Sequence, residues 1–252
     1  MTSPWNMKFA PVNGIKRIEP GDQLGEIIAE ALRKIGFQLM DDDVIVVTQK
    51  VVSKSEGRLV RLDLVKPTKK AKDLAIELGR DPKIVELALS ESTRIVRKGH
   101  GVLITETRHG FVCANSGVDL SNVEEGYASL LPLDPDASAR RLRESLEKAT
   151  AKRLAVIVTD TFGRPWREGQ VDVAIGCSGI APTTMLAGKK DPYGYLLNVT
   201  QPAVVDELAS AAELVMGKLS LVPVAIARGV KYRRSESGAR SMVRKRDLDL
   251  FR

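Results

Sequence analysis

The chain has 252 residues, 43% of them hydrophobic, which is enough to bury one large core or two smaller interleaved ones. Its formal charge of +7 invites a polyanionic partner, but residues 228–252 hold nine basic and three acidic side chains, so the preceding residues are almost neutral. Eleven scattered Phe, Trp and Tyr residues are too few for base-stacking platforms, and two His with two lone Cys exclude a structural zinc site or a disulfide scaffold. No aliphatic run approaches the ~20 residues that span a bilayer, and the first ten residues carry one Lys and no apolar stretch of leader type. No nucleic acid, no membrane and no export are therefore expected, and unpaired cysteines fit the cytoplasm.

In chain order, Leu24, Ile27, Ile28, Ala31, Leu32 and Ile35 recur at helical spacing and predict an amphipathic helix capped by Asp22 and stopped by Gly36. Val44-Ile45-Val46-Val47 predicts a strand buried on both faces, followed by a polar loop over residues 49–58. Residues 68–78 and 81–92 predict two consecutive helices, the second with Asp81 as cap and Pro82 at its first position. Residues 102–107 and 111–115 predict a hairpin turning on Gly110, with strand edges that need cover. Asp134-Pro135 opens a helix carrying Leu142 and Leu146, residues 153–159 predict a strand ending on Asp160, and residues 171–177 predict another. A Gly/Pro-rich stretch, 179–195, then leads to a helix over 204–216 and a last strand over 223–227. Hairpins beside αβ pieces predict an α+β fold, with mixed and antiparallel sheets flanked by helices. We read residues 1–252 as one domain, built as a single unit or two interleaved ones, with 230–252 as a basic C-terminal segment.

Three polar clusters stand at loops or strand ends, where scaffolds present their chemistry. Ser53-Lys54-Ser55-Glu56-Gly57-Arg58 offers cations, hydroxyls and a glycine to a phosphate, and reads equally as a solvated turn. Residues 115–126 include Asp119 and Asn122, hard oxygen donors of the kind Mg²⁺ or Mn²⁺ takes, and read equally as a set of Asx turns. Residues 159–169 place Asp160 after a buried strand, with Thr161 beside it and Arg164 and Arg167 able to clamp an anion. There is no Walker A loop, no GxGxxG and no His placed as a base, so the balance favours metal-assisted phosphoryl transfer over hydrolysis of the Ser/His kind.

These strings, with Pro11-Val12-Asn13-Gly14-Ile15, Leu131-Pro132-Leu133-Asp134-Pro135-Asp136 and Asp191-Pro192-Tyr193-Gly194, stand in an order and spacing that resemble the coenzyme F420-0:L-glutamate ligase family, from about residue 11 to about residue 229. The resemblance implies a gamma-glutamyl-ligase-like α+β fold and an interwoven homodimer. It implies a ligase that uses GTP as co-substrate and joins L-glutamate to the coenzyme F420 precursor through an acyl phosphate, extending the γ-glutamyl tail in later rounds. It also implies two Mg²⁺ or Mn²⁺ ions per site, with K⁺ as a further cation. Carried over residue by residue, the metal positions are Asp119, Asp160 and Thr161, and Lys54 joins the two aspartates as catalytic. Nucleotide contacts fall on Ile15, Lys16, Arg17, Ile18, Gln49, Lys50, Lys54, Asn122, Met216, Gly217 and Lys218. Arg164 and Arg167 are candidates for the anions of the substrates.

Two positions depart from the family's pattern. Gln49-Lys50 stand where it has a pair of small hydroxyl residues, and Lys218 stands where it has an acidic metal ligand, although a protonated ammonium has no lone pair to give. Two other readings stay open at this level: a GTP- and metal-dependent ligase with another acid as acceptor, and a polyanion or nucleic-acid binder using the basic C-terminal segment.

Overall fold

The computed structural model describes residues 7–250, so the first six positions of the leader reading and the last two of the basic segment lie outside the described residues. Strand β1 (Lys8–Pro11) leads through a loop to helix α1 (Leu24–Lys34), strand β2 (Val44–Thr48) and the short helix α2 (Gln49–Ser55). A second unit follows, made of β3 (Leu59–Arg61), helices α3 (Lys69–Leu78) and α4 (Pro82–Ser90), and strands β4 (Ser92–Gly99), β5 (Val102–Thr107), β6 (Val112–Ala114) and β7 (Tyr127–Ser129). The chain returns through α5 (Pro135–Thr150), the long hairpin β8 (Ala155–Arg164) and β9 (Arg167–Ser178), helix α6 (Val204–Met216) and β10 (Val224–Arg228).

The main sheet has the order β1-β10-β2-β8-β9 and is antiparallel except at its centre, where β2 and β8 run parallel with Thr48 opposite Thr159. Alternation along these apolar strands divides the side chains between two layers. Ile45, Val47, Val156 and Val158 pack with Ile28 and Leu32 of α1 and Leu142 and Leu146 of α5, while Val44, Val46, Ala155 and Ile157 pack with Leu208, Ala212 and Met216 of α6. Each fully buried aliphatic side chain here contributes about 1.5–3 kcal/mol, so a polar replacement at Val46 or Ile157 would lose that burial and strand a dipole in the sheet. The second unit has its own cluster, Ala71, Leu74, Leu78, Val85, Leu103 and Ala128, under the sheets β3-β7 and β4-β5-β6. It meets the main sheet where the Phe111 ring sets its edge against Phe162 of β8, with centroids 6.4 Å apart.

The expected mixed α+β architecture holds, with five corrections. Asp22 is not the cap of α1: its carboxylate accepts from the Glu19 N–H and the Lys16 ammonium, both at 2.8 Å, and Gln23 takes the cap position. The expected loop 49–58 begins as helix α2, because Val51 and Val52 find buried places against the main core. Strand β8 runs on past Asp160 to Arg164, held by pairing with β9. Strand β4, absent from the sequence expectations, covers one edge of β5 while β6 covers the other, so residues 102–107 present no edge in need of a partner. Finally, the basic segment, left open above as a polyanion-binding arm, is docked on the body of the protein. Arg228 holds buried Asp43 at 2.7 Å with its guanidinium over the Phe37 ring, Arg234 holds Asp42 at 2.6 Å, and the Asp136 carboxylate accepts from the N–H groups of Cys177, Ala239 and Arg240. Among the described residues, no helix is long and apolar enough to cross a membrane.

Candidate active site

Helix α2 leaves the C-terminal end of β2 and carries Lys50 and Lys54 one turn apart, hence on one face. That face looks onto the loop 115–126. The Lys50 ammonium reaches Asp119 Oδ2 at 2.8 Å and also donates to the Ser121 hydroxyl, while Lys54 donates to the Asn122 carbonyl at 2.7 Å. The loop is itself tightly shaped. Asn115 and Ser116 sit at φ 52° and 53°, and Gly117 follows at φ 73° where an added Cβ would lie 2.6 Å from Leu131 Cγ, so only glycine fits. Buried Ser116 anchors the turn by donating to the Ala88 carbonyl and meeting Thr105 Oγ1 at 2.7 Å. Asp119 then pairs its backbone with Ser129, and its carboxylate accepts from the Ser121 N–H at 2.7 Å.

Charge explains the protonation states at this end. Partial burial opposes ionisation of Asp119, yet Lys50 and the Ser121 donors outweigh it and hold the carboxyl below its usual range. Lys54 is lowered from the ordinary amine value, first by burial and then by repulsion from Arg17 and Lys50. Arg17 comes from the loop before α1 and pairs with Glu124, which brings residues 15–18 against the loop 115–126. Three cations that repel one another across a loop edge are a place an anion would relieve.

The ribbon β8–β9 supplies the other end. Along β8, Asp160 shares a face with Val158 and Phe162, the α1/α5 side, whereas Thr161 points to the α6 side with its opposite residue Asp172. Burial, foremost, and the neighbouring Asp119 and Asp172 carboxylates push the Asp160 carboxyl up to about 7, against the Thr161 N–H. Asp172 was not among the residues expected from sequence. It is 2% exposed and accepts from the hydroxyls of Thr159 at 3.1 Å and Thr161 at 2.6 Å, and Lys218 closes the set with its ammonium 3.2 Å from Asp172 Oδ1 and on the Thr161 hydroxyl. Asp172 lies where β9 passes from its exposed end, Arg167 to Gln170, into the core, and nothing in the local sequence marks it as part of a site. Lys218 reaches this place because Gly217 ends α6 at φ 63°, ψ 159°, a backbone state essentially confined to glycine.

Other expected residues are placed elsewhere. Ile18 and Met216 are core residues, and Gln49 is buried with its carbonyl accepting from Ser53, so none of the three presents an exposed side chain. Lys16 is spent on Asp22. Arg58 is structural, donating to the Leu131 carbonyl and pairing with Glu91. Arg164 and Arg167 face each other at the far tip of the ribbon, about 13 Å of strand beyond Asp160, and Arg164 donates to the Glu168 carbonyl of its own turn.

Among the described residues, no three His, Cys, Asp or Glu side chains gather at one point. Asp119 and Asp160 still fit a divalent ion of the Mg²⁺ type, which takes one or two carboxylates and completes its shell with phosphate and water. Thr161 does not fit a second one, since its hydroxyl already serves Asp172 and an ammonium.

The F420-0:gamma-glutamyl ligase family model matches residues 14–229. The chain is 46% identical over 244 residues to the coenzyme F420:L-glutamate ligase of Methanothermobacter thermautotrophicus, covering 96% of this chain and 97% of that one. It is 45% identical to the protein of the same name from Methanopyrus kandleri over 98% of both chains, and 43% identical to that of Methanocaldococcus jannaschii over 91% of this chain and 90% of the relative. Every string that carried the sequence resemblance lies within or at the edge of the matched span, and the chain belongs to the F420-0:gamma-glutamyl ligase family.

Proposed function

We propose that this chain is a GTP-dependent amide ligase that joins L-glutamate to the coenzyme F420 precursor through an acyl phosphate. The observation that carries the reading is 45–46% identity, over nearly the full length, to proteins named for ligating L-glutamate to coenzyme F420. An amide does not form from a carboxylate and an amine in water without activation. In the first step a carboxylate oxygen of the precursor attacks the γ-phosphorus of GTP, the β–γ bridging bond breaks, and GDP leaves. In the second, the α-amine of glutamate attacks the acyl carbon, the bond to phosphate breaks, and the amine loses a proton. Later rounds would use the γ-carboxylate of the last glutamate as acceptor.

The chain's own groups have distinct parts in this scheme. Lys50, Lys54 and Arg17 would hold the polyphosphate, whose charge relieves their mutual repulsion. Asp119 and Asp160 would hold a Mg²⁺ or Mn²⁺ ion, which when bound supplies charge neutralisation at the transferred phosphoryl group. Asn122, with its carbonyl on Lys54, keeps that lysine turned toward the loop. GTP, the divalent ion, K⁺ and a homodimer belong to this proposal. A permanent dimer would bury more than roughly 2,000 Å² and would melt at a temperature that rises with protein concentration.

The deciding experiment is mass spectrometry of the F420 precursor incubated with the protein, L-glutamate, GTP and Mn²⁺. The expected product is heavier by glutamyl residues, with GDP and phosphate released in equal number. No mass gain, or gain independent of nucleotide, overturns the reading.

A further inference from the structure

The oxygens of Asp172, Thr159 and Thr161 form a hard donor set around a carboxylate that is 2% exposed. Such a set calls for a cation, because an isolated buried carboxylate costs several kcal/mol. The cation it has is the ammonium of Lys218, from the turn after α6. The Lys50–Asp119 pair is built the other way round. There the lysine side chain is the enclosed partner, 18% exposed, and the acid is the open one, 37% exposed; in the Lys218–Asp172 pair the lysine is 55% exposed and the acid is closed in. An ion arriving from solvent meets a carboxylate at Asp119, but at Asp172 it meets a positive charge standing in front of the oxygens. Thr161, one residue from Asp160, points to the opposite face of the ribbon, so its hydroxyl belongs to the Lys218 set and not to the Asp119–Asp160 set.

We propose that Lys218 is the resident cation of the Thr161–Asp172 oxygens, filling with its ammonium the place of a second divalent ion, so that each chain loads one such ion, at Asp119 and Asp160. The proposal rests on the ligase reading above in taking Asp119 and Asp160 as the loading site. An ammonium carries one charge where Mg²⁺ or Mn²⁺ carries two, and it cannot be washed out or exchanged. Of its three N–H donors two are spent on Thr161 and Asp172, which leaves one for an anionic group at the exposed side. The geometry depends on Gly217, whose backbone state turns the chain back over the ribbon.

The test counts Mn²⁺ rather than product. Mn²⁺ is titrated into the full chain with saturating GDP, free ion is read by electron paramagnetic resonance, and bound GDP is measured in the same samples. The wild type is expected to bind one Mn²⁺ per chain. Lys218→Glu removes the ammonium and adds a ligand, and should bind two; Lys218→Met removes the ammonium alone and should also gain a second, weaker ion; Lys218→Arg keeps the charge and should stay at one. Two ions in the wild type, or one in both Lys218→Glu and Lys218→Met, overturn the proposal while leaving the ligase reading in place. Neither GDP nor Mn²⁺ bound by the wild type overturns the ligase reading and this proposal together.

Discussion

The two lysine–aspartate pairs that flank Asp160 use the same residue types with opposite burial, and that difference divides the site's labour. At Asp119 the acid faces outward and its lysine stands behind it, held also by the Ser121 hydroxyl, so an incoming cation meets the carboxylate first. At Asp172 the acid is enclosed, hydrogen-bonded by two threonines and sealed by Lys218, so the pair is part of the fold. One aspartate is poised to exchange partners and the other is not. The lesson is that a carboxylate's role follows from which partner of its ion pair reaches solvent, more than from the pair's distance.

The largest expected effect separates the pairs by activity. Asp119→Ala should lower turnover by about 10³-fold, because it removes a carboxylate proposed to hold the divalent ion, while costing about 1 kcal/mol of stability, since Lys50 keeps the Ser121 hydroxyl as a partner. A melt depressed as far as that of an Asp172 variant would erase the contrast. Next in size, Asp172→Ala should cost about 2–3 kcal/mol in urea unfolding, since the wholly buried Thr159 hydroxyl is left without its acceptor. Equal unfolding midpoints for the two alanine variants would place Asp172 outside the structural role.

A smaller effect concerns pH. The folded Asp160 carboxyl ionises near 7, above its ordinary 3.8, so folding favours its protonated form. That stability is fully present below the unfolded value and is lost as pH rises through 7. Metal-free protein should therefore melt at a lower temperature at pH 8 than at pH 5.5, and Asp160→Asn should flatten this slope; an unchanged slope in the variant assigns the titration to another group. The smallest effect is expected at Lys54. Lys54→Ala should weaken GTP binding about fivefold at low salt and less at high salt, as fits loss of one charge from phosphate. Fluorescence titration at two ionic strengths decides, and affinity insensitive to the substitution at low salt removes Lys54 from the nucleotide.

Much of the fold was legible where local pattern and burial agree. Helix α6 spans the expected residues 204–216, β2 is buried on both faces as its β-branched run demands, and Asp81 and Asp134 cap their helices through the Lys83 and Ala137 N–H groups. The two strand failures share a cause in long-range pairing. Strand β4 carries Arg94, Arg97 and Lys98, charges of the kind edge strands carry, and looks like loop until β5 is placed beside it. Residues 160–164 have poor strand character and are extended only because β9 pairs with them. In the candidate site, Lys54 and Asp160 stood out as polar residues after buried strands, and Asp119 as a hard oxygen donor in a polar loop. Asp172 did not, because an aspartate enclosed by threonines thirteen and eleven residues away and by a lysine beyond α6 has no local signature.

The central parallel pair has a consequence for the order in which this protein acquires its site. Thr48 and Thr159 are neighbours in the sheet although the whole of the second unit is threaded between them, and Lys218 joins only when the chain has come round once more. Closing loops of that length is slow compared with forming α3, α4 or the β5–β6 hairpin, whose contacts are local. Nucleotide capture should accordingly be among the last properties regained during refolding. A stopped-flow experiment should show far-ultraviolet ellipticity recovering first and binding of a fluorescent GDP analogue recovering in a later phase. A fragment ending before residue 155 should form the second unit's helices and bind no nucleotide.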